Sequence, residues 1–177
     1  MNLRKDKLKN LILYVCNKTD PQNLGATKLD KIMWFSDILA FLTIGDPITG
    51  ETYVRKQFGP WATHFYQMID ELKAEDKLIV RDVNFYGRQK REYIPLVSAN
   101  LDLFTANEIS IVDDVANDIA LNFTAVGISD LSHDRIWEMA NIGEEIPYEA
   151  IFAVRLGEID EKDIQWAENI LEALPAA

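Results

Sequence analysis

Two histidines, His64 and His133, and one cysteine, Cys16, are the whole stock of imidazole and thiol chemistry in this 177-residue chain. Three such residues, far apart in sequence, do not make the Cys/His spacing of a zinc site. Ser132-His133-Asp134 has the residue types of a serine-nucleophile relay. Adjacent side chains on a helix point apart, so this run argues against a working relay. His133 reads instead as a helix-start or core hydrogen-bonding residue, with Ser132 beside it as a cap. The pairs Asp113-Asp114 and Glu144-Glu145 diverge in the same way and read as solvated surface. Cys16 shares the apolar face of Leu8, Leu11, Ile12 and Val15, so it reads as a small core residue. No GxGxxG run, Walker-type loop or kinase signature is present. The expectation is a non-enzyme with no cofactor and no metal.

Binding chemistry has more to work with. Tyr53, Phe58, Trp61, Phe65, Phe85 and Tyr86 lie in or near segments that read as extended or turning. Core packing accounts for several of them. An exposed subset beside arginines would make a protein-binding hot spot, because aromatics and Arg dominate such patches. The candidate anchors are Tyr53, Arg55, Phe58, Phe85, Tyr86 and Arg88. Small residues and the fixed φ of Pro60 give this region a rigid platform, which limits the entropy lost on binding.

The elements that must position these residues are mostly helical. Residues 3–17 form a first helix. Thr27 caps a second, running to Gly45, with Asp30 complementing its positive end. Leu29, Ile32, Met33, Leu39 and Leu42 give it one face, and Trp34, Phe35, Ile38 and Phe41 fill much of the other. A helix apolar nearly all round belongs in the middle of a core. After Gly59-Pro60, the spacing of Trp61, Phe65, Met68, Ile69 and Leu72 predicts a helix over 61–76. A short extended piece covers 52–57. Residues 78–83 and 91–95 are β-prone runs flanking 84–89, a hairpin. Thr105-Ala106-Asn107-Glu108 is a capping box opening a helix with Ile109, Val112, Ala116, Ile119 and Ala120 on one face. A helical stretch over 124–141, broken near Ser132, ends at Gly143. Asp160 and Asp163 open a last helix carrying Ile164, Ala167, Leu171 and Leu174. The fold class expected is α+β, mainly α: a single helical domain over 1–177 with a short β-hairpin.

The order helix, helix, short strand, helix, hairpin makes the N-terminal half winged-helix-like, which raises DNA binding. The run Gly87-Arg88-Gln89-Lys90-Arg91 would be the wing. Charge opposes this. The candidate recognition helix exposes Thr63, His64, Gln67, Asp70 and Glu71, and the chain carries a formal charge of −11. Nucleic acid is therefore not the expected partner. The charge is uneven: residues 1–100 hold 15 Lys/Arg against 12 Asp/Glu, and residues 101–177 hold 3 against 17. The acidic half is either a solvated surface or one offered to a basic partner.

At 48% hydrophobic, the chain can bury a core without disulfides. Its charged start and the apolar run ending at Asn17 lack a cleavage site for a signal peptide. No stretch approaches the roughly 18 apolar residues of a membrane span. A cytoplasmic protein is expected.

Several short motifs occur together in order. Lys28-Leu29-Asp30-Lys31-Ile32-Met33-Trp34-Phe35-Ser36-Asp37 resembles a "KLxKLLYFAD" helix. Pro47-Ile48-Thr49-Gly50, Tyr53 and Phe58-Gly59-Pro60 resemble an "ITGxxY…YGP" signature. Leu131-Ser132-His133 with Trp137 is similar to an "LSHxxxxW" element, and Ile146-Pro147-Tyr148 to a short closing one. Together they resemble the Panacea domain of the SocA-like antitoxin family, a phage-associated domain, from about Leu8 to Phe152. The resemblance implies an antitoxin that neutralises a cognate toxin by direct binding. It also implies a protease as a further partner, to which some members present their toxin. The alternatives are a winged-helix DNA-binding regulator, or a phage-derived interaction protein without a toxin.

Overall fold

In the computed structural model, which describes residues 2–85 and 87–155, helix α2 (Ala26–Ile44) runs through the core of a mainly helical α+β fold. Leu29, Ile32, Met33, Trp34, Ile38 and Phe41 are buried along it, as expected of a helix apolar on most sides. Phe35 is only partly buried, and Leu39 is exposed. The cap differs from expectation. Gly25, not Thr27, is the N-cap, and Asp30 is fully buried with a local partner rather than facing the helix end. Gly45 stops the helix in the left-handed conformation, its N–H donating to the Phe41 carbonyl.

Helix α1 (Lys5–Lys18) lays Leu8, Leu11, Ile12 and Val15 into the same core. Cys16 is buried with them, and desolvation pushes its thiol up to about 12. Strands β1 (Tyr53–Lys56) and β2 (Gly59–Ala62) form one antiparallel ribbon, with Tyr53 opposite Ala62. Helix α3 follows as Phe65–Ala74, burying Phe65, Met68, Ile69 and Leu72. Trp61 keeps helical spacing with these four but lies in β2. Gly59-Pro60 is thus part of a strand, not the corner that opens the helix. Periodicity over one turn cannot separate the two, since the extended chain also returns Trp61 beside Phe65, at 5.3 Å between centroids.

Strands β3 (Leu78–Phe85) and β4 (Arg88–Pro95) make a second ribbon with a two-residue connection. Lys90 and Arg91, expected near a wing tip, are in strand β4. Neither β1 nor β2 pairs with this hairpin, so the sheets stay separate. The winged-helix order is there, but the third strand that would complete a wing is paired elsewhere.

The expected capping box is present: Thr105 Oγ1 accepts from the Glu108 N–H, and Glu108 Oε2 from the Thr105 N–H. It opens α4 (Ala106–Asn122), which packs on α2. The next stretch breaks at Ser132 into α5 (Ala125–Leu131) and α6 (Arg135–Met139). Helix α7 (Ala150–Arg155) closes the described chain, and the helix expected from Asp160 lies outside the described residues. Asp113 departs from the solvated reading, since its carboxylate accepts from the Tyr14 hydroxyl at 2.7 Å and pairs with Lys18.

Candidate functional site

The motif residues of the sequence converge on the β1–β2 ribbon, most of them from beneath. Asp37, on α2, is fully buried and gathers four groups. The Thr49 N–H donates to its Oδ1 at 2.8 Å, and the Thr49 hydroxyl to its Oδ2. The Tyr53 hydroxyl donates to Oδ2 at 2.9 Å. The Tyr148 hydroxyl donates to the Glu51 carbonyl at 2.7 Å and stands 3.3 Å from the same Oδ2. Burial raises the Asp37 carboxyl to about 6 despite these donors. Burial and the neighbouring carboxyl push the Tyr53 and Tyr148 hydroxyls well up. Helix α2, the loop before the ribbon, the ribbon itself and the closing segment are tied at one carboxyl.

A second node holds the other strand. Lys31 and Asp30 form an ion pair at 2.9 Å with no exposed side-chain surface on either. Asp30 Oδ1 accepts from the Ala62 N–H at 2.9 Å, and Lys31 Nζ donates to the Pro60 carbonyl. Burial raises the Asp30 carboxyl, against the pull of Lys31. An isolated buried charge would cost several kcal/mol, so each member depends on the other and on the β2 backbone. Gly59 makes the approach possible. Its φ of +101 suits glycine, and a Cβ there would meet Ser132 Oγ at 2.1 Å and Lys31 Cε at 2.9 Å. Gly50, at φ +65, likewise faces the Asn2 carbonyl oxygen, 2.5 Å from where a Cβ would stand.

The outer side is clamped by α5 and the segment after it. Ser129 Oγ donates to the Phe58 carbonyl at 2.9 Å, and Trp137 Nε1 to the Lys56 carbonyl at 2.9 Å. The Arg55 guanidinium lies 3.9 Å from the Trp137 ring centroid and donates to the Ala140 carbonyl. Backbone bonds from Gly143 N–H to Arg55, from Arg55 N–H to Glu144, and from Ile146 N–H to Tyr53 continue the pairing. His133 stacks on Trp137 at 4.1 Å, and its buried Nε2 has no hydrogen-bond partner among the described residues. Asp134, not Ser132, caps α6, accepting from the Trp137 N–H at 3.0 Å. Ser132 ends α5, its hydroxyl donating to the Ser129 carbonyl. The Ser-His-Asp run is therefore divided between a helix end, a ring stack and a cap.

The candidate anchors separate into two sets. Tyr53 is buried, with its hydroxyl on Asp37, and is a scaffold residue. Arg55 is half-buried and engaged with the clamp. Phe58, at the ribbon tip, is 62% exposed, and Phe85, at the hairpin end, 48%. Tyr86 lies outside the described residues; Arg88 is placed by its backbone, opposite Phe85. Sequence reading passed over Asp37, Lys31, Glu51 and Tyr148 as functional framework. The available signal was a charged residue on each side of an otherwise apolar helix, which a buried helix tolerates only with partners.

Glu51 is buried beneath the ribbon. Its Oε1 accepts from the Thr52 N–H and the Thr63 hydroxyl and lies 2.8 Å from His64 Nδ1. Its Oε2 has no hydrogen-bond partner among the described residues. Among the described residues, no cluster of three or more His, Cys, Asp or Glu is placed to hold a metal ion. Likewise, no helix among them is long and apolar enough to cross a membrane.

Fold and site define a mainly helical α+β protein built around an internally clamped ribbon that holds an aromatic outward. The family described as antitoxin SocA-like, Panacea domain, matches residues 29–138, and the chain belongs to that family. The match runs from the first turn of α2 through most of α6, a narrower span than the motif resemblance from Leu8 to Phe152. No curated protein and no solved structure matches the chain significantly.

Proposed function

We propose that the protein is an antitoxin that neutralises a cognate toxin by direct protein–protein binding, with Phe58 and Phe85 among its anchors. Family membership supports an antitoxin role. The observation that carries the binding surface is Phe58. It is a large aromatic, 62% exposed, on a ribbon whose backbone carbonyls at Lys56, Phe58 and Pro60 are each held by a side chain. A fixed platform loses little entropy on binding, so an aromatic presented on it is a strong anchor. The clamp segment adds exposed Leu131, Met139 and Ile142. The setting is the bacterial cytoplasm, the action is binding without catalysis, and presentation of the toxin to a protease is compatible with the same surface.

DNA recognition by α3 finds no support in its charges. Glu71 pairs with Lys5 and Lys9, and Lys73 with Asp70, so the cations nearby are already neutralised. Co-expression with the neighbouring toxin gene tests the proposal. Rescue of growth and co-purification of the two chains are expected; a toxic neighbour that the intact protein neither rescues nor binds overturns it.

A further inference from the structure

Between the start of α2, the β3–β4 hairpin and the α4–α5 corner lies a groove of about 1080 Å³. Tyr66, Phe85, Phe123 and Val126 give it apolar walls, and Lys28, Lys90, Arg91 and Asp82 its charge. Lys28 Nζ donates to the Ala120 carbonyl at 3.0 Å, and Lys90 Nζ to the Pro21 carbonyl at 3.0 Å and to that of Gln22. Among the described residues, neither ammonium has a carboxylate within ion-pair distance. Asp and Glu outnumber Lys and Arg by 29 to 18 in this chain. Lys5, Lys7, Lys9, Lys18, Lys31, Lys73 and Lys77 each reach a carboxylate, whereas Lys56, which also reaches none among the described residues, is exposed and not half-buried like Lys28 and Lys90.

Burial and then repulsion from Lys90 lower the Lys28 pKa; burial lowers that of Lys90, with Glu92 and Asp20 opposing from a distance. Arg91 is partly answered, by Asp82 at 3.5 Å and by the Tyr66 ring. The groove thus holds two partly dehydrated cations with no ion-pair partner among the described residues, beside aromatic walls.

We infer that this groove docks an extended segment of the toxin bearing a carboxylate next to an aromatic or aliphatic side chain. The toxin as source rests on the antitoxin reading. The carboxylate meets Lys28 and Lys90, and the apolar neighbour packs on Phe85 and Phe123. A peptide fits better than a nucleic-acid strand, because one or two carboxylates match two ammoniums. A run of phosphates would also pass Asp82 on a protein of charge −11.

The test uses the full chain and two fluorescein-labelled, C-terminally amidated hexapeptides, one with two Asp or Glu residues set among Phe and Leu, the other its Asn/Gln counterpart. The acidic peptide should bind at least about tenfold more tightly and weaken with salt. The Lys28→Gln/Lys90→Gln variant should lose about tenfold, Lys28→Arg/Lys90→Arg should retain binding, and Lys56→Gln should change nothing. No preference between the peptides, unchanged binding in the Gln variant, or tighter retention of single-stranded oligothymidine at physiological salt overturns the inference. Rescue from the toxin separates the two readings. Full rescue by a Gln variant that melts like the parent removes the groove and leaves the antitoxin. Absence of rescue by the intact chain removes the antitoxin, while the peptides still decide the groove.

Discussion

The Tyr53 hydroxyl donates to Asp37 Oδ2 at 2.9 Å, joining the two strongest pieces of the family signature through a buried bond. Asp37 closes the helix motif, and Tyr53 begins the ribbon that the next motif builds. What looks in sequence like two adjacent recognition motifs is one internal fastening. Its consequences are measurable.

Asp37 should make stability depend on pH in a direction opposite to that of a salt-bridged carboxylate. Its folded pKa, about 6, stands above the unfolded value of about 3.9. The native state then holds the proton more tightly. The contribution is complete below about pH 4 and is lost as pH rises through about 6, by on the order of 3 kcal/mol. Urea titrations of the parent and Asp37→Asn across that range should show the parent's advantage shrinking with pH. An advantage that grows with pH would mean Asp37 is ionised throughout.

Gly59→Ala should destabilise by several kcal/mol, because its Cβ enters the space of Ser132 Oγ and Lys31 Cε at positive φ. Gly87→Ala is the control: its φ is +77 but, among the described residues, nothing lies within 4 Å of where its Cβ would stand, so only about 1 kcal/mol of backbone strain is expected. Equal shifts in the denaturation midpoints would show that backbone strain alone accounts for Gly59.

Trp34→Ala should cost about 3–5 kcal/mol, and Phe35→Ala about 1–2 kcal/mol. Trp34 is 1% exposed and meets the Tyr53 ring edge-on at 4.9 Å, whereas Phe35 is only partly buried. Denaturant titration gives both values, and the reverse ranking would place the helix with its other face inward.

Phe58→Ala should leave stability within about 0.5 kcal/mol but abolish rescue from the toxin. Tyr53→Ala should lower stability by about 3 kcal/mol or more, through lost packing and a buried carboxyl left short of a donor. Thermal melts beside growth assays separate the two. Rescue that survives Phe58→Ala and Phe85→Ala together would move the interface elsewhere.

Mobility-shift assays should show no sequence-dependent retention of duplex DNA at physiological salt, since α3 exposes Asp70 and the cations beside it are paired, Lys5 and Lys9 with Glu71 and Lys73 with Asp70. Sub-micromolar binding of a defined promoter fragment would promote the regulator reading.

By itself the sequence determined the helical core, the capping box at Thr105, the hairpin, the break near Ser132 and the family. These follow from local capacities: apolar spacing, a residue that can cap, turn-forming glycines, and ordered short motifs. It did not separate Trp61 from the helix beginning at Phe65, because four residues fit both readings. Nor did it distinguish Tyr53 from Phe58 as an anchor, since both are aromatics in an extended run. Only the tertiary structure decided that Asp37 stands under Tyr53, that Lys31 sits where Gly59 lacks a side chain, and that Lys28 and Lys90 share a groove in which, among the described residues, neither forms an ion pair. Each is a meeting of segments distant in sequence. Whether a polar side chain is buried and answered or left seeking a partner depends on what the rest of the chain brings beside it.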